Sequence, residues 1–208
     1  NNNYPSMAAF FNPFLTTISG FKIDINYRYI IDPITWKGVG ANVDRKLSIS
    51  VEYNGVTRGF IQVTSSAELL SALGRVQAGQ VIELMAGVYN IKASRITIAN
   101  KGNNSLPIKI IARKLGEVVV KLRGEGIVVD KPYWHFENLH FVGGCEDHSR
   151  CEHALHIVGN GKNVVLKNNI FQDFNAALKV NGLKGEYPDN GLVIGNTFYN
   201  TSIRQTGN

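Results

Sequence analysis

No stretch of the chain approaches 18 uninterrupted apolar residues, and the most apolar early segment, residues 7–18, is broken by Asn12-Pro13; this excludes a membrane-spanning helix. The same segment lacks a cationic start and a small-residue cleavage site, so it is not an intact signal peptide, and any export signal lies outside this sequence. Charged residues are sparse, 18% against 44% hydrophobic in 208 residues. That balance supports a core, excludes intrinsic disorder, and fits one domain or one large plus one small. The net charge of +6 favours polyanionic partners. No run of five or more Lys/Arg residues occurs, and no recognition-helix or RNA-binding strand signature, which argues against nucleic acid.

What the sequence does contain is asparagine with a period. Ten of its 22 Asn fall in residues 160–208. Three hexamers there and just upstream share one form: Phe136-Glu137-Asn138-Leu139-His140-Phe141, Leu166-Lys167-Asn168-Asn169-Ile170-Phe171 and Val193-Ile194-Gly195-Asn196-Thr197-Phe198. Stepping back by the same interval reaches the runs at 108–111 and 81–84, so five strand-like runs recur every 27 to 30 residues. A second series lies between them, at 126–129, 154–159 and 177–182. Its last two members match as Ala-Leu-x-(Ile/Val)-x-Gly, 23 residues apart.

Helical repeats need amphipathic runs of 3.6-residue period, and these are lacking here. Short β-branched strands punctuated by Gly and Asn instead predict an all-β chain, a right-handed parallel β-helix whose coils stack about 4.8 Å apart. The recurring Asn then forms a ladder of amides, and Phe141, Phe171 and Phe198 stack inside the coil. Upstream, Ser65-Ser66-Ala67-Glu68 is a capping box, followed by Leu69, Leu70, Leu73 and Val76 as an apolar face. This predicts an N-terminal capping helix over the first coil. Residues 1–63 lie outside the period and read as a small β-rich appendage, with residues 64–208 forming the solenoid. In the appendage Ile23, Ile25, Tyr27 and Tyr29 alternate with polar residues, and Asn54-Gly55 joins the strand runs 47–53 and 56–63 as a hairpin.

The segments Gln62-Val-Thr-Ser-Ser-Ala-Glu-Leu-Leu70, Gln77-Ala-Gly-Gln-Val-Ile-Glu-Leu-Met-Ala-Gly-Val-Tyr89 and Leu106-Pro-Ile-Lys-Ile-Ile-Ala112 resemble the opening of secreted right-handed parallel β-helix proteins. The resemblance is to the pectin-lyase-like group that includes chondroitinase B and related alginate lyases, and it covers about residues 62–200. It implies a secreted or periplasmic protein, an acidic polysaccharide as partner, and Ca²⁺ as a cofactor that such lyases can use. The lyases carry their proton-abstracting Lys and its partner Arg farther along, in Lys-Ser and Arg-His-Gly segments that do not occur here. The sequence is therefore expected to be the N-terminal part of a longer β-helix, and the family's catalytic residues have no counterparts to carry over.

All five His and both Cys fall between His135 and His156. Cys145 and Cys151 have three readings: a disulfide closing a loop between coils, zinc ligation with two of His148, His153 and His156, or free thiols with a redox role. The Cys-x5-Cys spacing is wider than zinc sites usually show, which favours the disulfide.

The shared register of the second series sets His156 beside Lys179 on an outer face, with Leu155, Ile157, Leu178 and Val180 pointing inward. β-Elimination of a uronate needs a cation or donors for the carboxylate, a base for the C5 proton and an acid for the leaving oxygen. His156, Lys179 and Tyr187 are the catalytic candidates: Lys179 or Ca²⁺ for the charge, His156 as base, Tyr187 as acid. Asn181, Asp189 and Arg150 are the substrate-binding candidates. Hydrolysis needs two facing carboxylates, and only Glu186 and Asp189 lie near, both in a loop, so a glycoside hydrolase ranks below a lyase. A non-catalytic carbohydrate-binding or surface-attachment solenoid is the other alternative.

Overall fold

The computed structural model describes residues 21–28, 46–53, 56–147 and 150–202. The early apolar segment, Tyr29, the Asn54-Gly55 turn and His148 lie outside the described residues. Three antiparallel-paired strands come first: β1 (Phe21–Arg28), β2 (Lys46–Tyr53) and β3 (Val56–Val63). The helix α1 (Ser66–Arg75) follows. Four complete three-strand coils come next: β4 (Gln80–Leu84), β5 (Gly87–Asn90), β6 (Arg95–Thr97); β7 (Ile108–Ala112), β8 (Val118–Leu122), β9 (Gly126–Val129); β10 (Trp134–Glu137), β11 (His140–Gly143), β12 (Leu155–Val158); and β13 (Val165–Lys167), β14 (Ile170–Gln172), β15 (Leu178–Asn181). Strands β16 (Leu192–Ile194) and β17 (Thr197–Tyr199) begin a fifth.

Equivalent strands stack in parallel and in chain order, giving sheet A (β4-β7-β10-β13-β16), sheet B (β5-β8-β11-β14-β17) and sheet C (β6-β9-β12-β15). This is the parallel β-solenoid that the 27- to 30-residue period predicts. Strand β3 pairs in parallel with β4 and so extends sheet A.

The turn from sheet A to sheet B explains the Asn pattern. Asn138, Asn168 and Gly195 occupy equivalent positions with φ of 59°, 53° and 66°, a left-handed conformation that Asn and Gly adopt at least cost. At the next position Asn169 donates from Nδ2 to Asn196 Oδ1 at 3.0 Å, while Leu139 N donates to Asn169 Oδ1 at 3.0 Å. Asn169 is fully buried with its amide satisfied. The Phe column also forms: Phe141 and Phe171 stack at 5.3 Å between centroids, Phe171 and Phe198 at 4.9 Å. Phe198 is 48% exposed because it is the last described residue of the column.

Ser65 caps α1 by accepting from Glu68 N, and Glu68 reaches back to Thr64. Leu69, Ala72, Leu73 and Val76 are buried, and the helix touches β3, β4 and β6 at the first coil. Leu70, expected on that face, is 38% exposed, since it lies about 100° around the helix from Leu69. Val180, expected inside, is 58% exposed and Leu178 half-buried. The reason is position: β15 is the last described strand of sheet C, so nothing described stacks on it.

Candidate functional site

The site candidates lie on sheet C. Ile127, Val129, Leu155 and Ile157 belong to the core, so period-two alternation turns Val128 and His156 to the outer face. The predicted register holds: His156 pairs with Lys179 and Leu155 with Leu178. The exposure of His156 does not hold. The imidazole is only 7% exposed, because neighbours from two other coils flank it. Its Nδ1 lies 2.6 Å from Glu125 Oε1 and its Nε2 lies 2.7 Å from Asn181 Oδ1. Glu125 also pairs with Arg95. One residue from each of four successive coils thus forms a continuous row: Arg95, Glu125, His156, Asn181.

Burial pushes the Glu125 carboxyl up, but hydrogen bonds from His156 and Arg95, with their charge, outweigh it and hold the group below the usual carboxylate range. Glu125 is fixed by its turn. Gly126, with φ 65°, has no room for a side chain against the carbonyls of His153 and Ala154, so the backbone there passes close to the next coil. His153 sits at the rim, with Nδ1 2.8 Å from Ala176 O and its ring 5.9 Å from that of His156.

Lys179 and Asn181 both lie on the exposed side of β15. Lys179 forms no ion pair with any described residue. Beyond Asn181 the chain makes a tight two-residue turn, with Leu183 and Glu186 exchanging backbone hydrogen bonds and Lys184 and Gly185 at φ 52° and 79°. Lys162 anchors this turn through Glu186 at 2.7 Å. Tyr187, 60% exposed, lays its ring on Gly182; a Cβ there would come within 2.7 Å of Tyr187 Cε1. Asp189 is exposed, and its carbonyl accepts from Asn163 N.

Arg150 is exposed at the end of the loop between β11 and β12, its carbonyl accepting from Gly124 N at 2.6 Å beside Glu125. Cys145 and Cys151 form a disulfide, with Cα atoms 5.7 Å apart. Both sulfurs are therefore consumed, which removes the zinc and free-thiol readings. Cys151 is buried and bridges Gly124 in parallel, so the loop's end is part of the coil stack.

The remaining histidines separate. His135 faces out from sheet A, where burial and Lys109 push its imidazole down. His140 faces out from sheet B, its Nε2 2.9 Å from Gln172 Oε1. Among the described residues no three His, Cys, Asp or Glu side chains converge as a metal site. Ca²⁺, which needs several oxygen ligands, finds no such cluster of carboxylates there. Sequence reasoning missed Arg95 and Glu125. The only available signal was that Glu125 sits in the turn leading into β9, one coil before His156.

No protein family and no curated protein matches the chain. Among solved structures it is similar to a PL6 family polysaccharide lyase from Pseudopedobacter saltans, at 24% identity and a TM-score of 0.43 over 55% of this chain and 25% of that one. It is also similar to an alginate lyase from Paenibacillus sp. str. FPU-7, at 15% identity and a TM-score of 0.46 over 69% of this chain and 58% of that one.

Proposed function

We propose that the outer face of sheet C binds acidic polysaccharide and that the chemistry its exposed groups fit is β-elimination of a uronate. The observation that carries this reading is the hydrogen-bonded row from Arg95 to Asn181, which ends beside the ammonium of Lys179, unpaired among the described residues. A net charge of +6 draws a polyanion to the surface. Lys179 and Asn181 neutralise the carboxylate, and Tyr187 is the exposed group for proton transfer beside them. His156, covered and engaged at both nitrogens, acts from beneath the surface. Arg150 extends the cationic rim and Asp189 flanks Tyr187 as a hydroxyl acceptor. The disulfide suits an oxidising compartment, so the protein is read as secreted or periplasmic.

One observation favours a second reading, a non-catalytic carbohydrate-binding or surface-attachment solenoid: no free imidazole nitrogen of His156 faces the surface. Incubation with polygalacturonate and polymannuronate separates the two, because elimination leaves unsaturated ends that absorb in the near ultraviolet. Products from the wild type that vanish in Tyr187→Phe and Lys179→Ala support the lyase. Binding without products supports the second reading. Absence of both binding and products would overturn the site.

A further inference from the structure

We infer that Arg95, Glu125 and His156 form a positioning row that fixes the amide of Asn181, so that Asn181 Nδ2 and Lys179 Nζ together receive a carboxylate. The inference rests on the acidic-polysaccharide reading of sheet C and names the group that the site receives.

Asn181 is held at both ends of its amide. Its Nδ2 donates to Gly182 O at 3.0 Å while its Oδ1 faces His156 Nε2 at 2.7 Å. Reversing the amide would set Oδ1 against the Gly182 carbonyl oxygen, two acceptors facing each other, so the backbone decides which end meets the imidazole. Nε2 must then donate. On the other side of the ring the Glu125 carboxylate, an acceptor only, faces Nδ1 at 2.6 Å, and Arg95 holds that carboxylate in place. The imidazole therefore donates from both nitrogens and keeps no lone pair for proton abstraction. It acts through Asn181.

Asn181 retains one N–H after bonding to Gly182. Lys179, two residues earlier on the same side of β15, offers an ammonium. The charged and titratable groups around the ring are Arg95, Glu125, His153 and Lys179, and none of the described carboxylates pairs with Lys179. One amide donor and one ammonium on a shared open face match the two oxygens of a carboxylate.

The test is titration calorimetry with polygalacturonate. Asn181→Asp keeps the shape and the His156 contact but replaces the spare donor with a negative charge; affinity is expected to fall at least ~tenfold. Glu125→Gln is expected to lose roughly three- to tenfold in the wild-type background and nothing further in an Asn181→Ala background, because the row acts through that amide. A merely structural Glu125 would lower the unfolding temperature and cost the same factor in both backgrounds. Wild-type affinity in Glu125→Gln, with binding lost in Lys179→Ala, would overturn the positioning row and leave the site standing. Wild-type affinity in both Lys179→Ala and Asn181→Asp would overturn the site itself. Should Glu125→Gln fail to fold, Arg95→Ala, which leaves the Glu125–His156 contact in place, carries the same comparison of backgrounds.

Discussion

Asn169 and Asn181 each bridge coils in this protein, and they do so to different ends. Asn169, in the turn between sheets A and B, is fully buried, and its amide is spent on Phe136 O, Asn196 and Leu139 N. Asn181, on the outer face of sheet C, is exposed and keeps a donor after meeting His156 and Gly182. The reach across one coil is common to both. Closure is what separates them: a satisfied, buried amide holds the stack together, whereas an amide with a donor left over can address a ligand.

The comparison breaks most easily at Asn169. Asn169→Ala orphans the Leu139 N–H and removes the donor to Phe136 O, so stability should fall by about 2–4 kcal/mol in urea unfolding. A loss as small as that of Asn181→Ala, within about 0.5 kcal/mol as for an ordinary surface change, would erase the distinction.

A subtler probe is Gly182→Ala. The new Cβ meets the exposed Tyr187 ring, which can swing away, and lies 3.2 Å from the Glu186 carbonyl oxygen, which must shift slightly, so folding should change by about 1 kcal/mol or less. The Tyr187 hydroxyl moves off the site, and turnover or affinity for a polyuronate should drop by roughly three- to tenfold. Unchanged values would remove Tyr187 from the site and leave Asn181 and Lys179 to act alone.

The smallest effect is acid sensitivity. Arg113 holds the Glu83 carboxyl on sheet A below the usual range, as His156 and Arg95 do for Glu125 against the opposing push of burial. Depressed carboxylates contribute stability that is complete above their unfolded value of 4.5 and is lost as pH falls through the lower folded values. Glu83→Gln and Glu125→Gln should each flatten the acid limb of the stability curve below that point. An acid limb as steep as the wild type's in both variants would show that neither pair carries it.

The coils were legible because stacking repeats what the sequence repeats. Phe141, Phe171 and Phe198 superimpose, and the register of His156 on Lys179 follows from alternation, since a one-residue slip would expose Leu155 and Leu178. The histidines were misleading for the same reason. His135, His140 and His156 lie close in sequence, yet one coil carries its chain past all three faces, so they leave from sheets A, B and C in turn.

The sequence by itself determined the solenoid, its period, the inward columns and the pairing of adjacent coils, because these depend on side-chain alternation and on which residues tolerate a left-handed turn. It also narrowed the two cysteines to a short list that their 5.7 Å Cα separation resolves as a disulfide. Only the tertiary structure decided that His156 is covered, that Glu125 and Arg95 complete its row, and that Val180 is left open at the last described strand of sheet C. Those outcomes turn on how a turn from one coil reaches the face of the next, a distance in space that no spacing along the chain records.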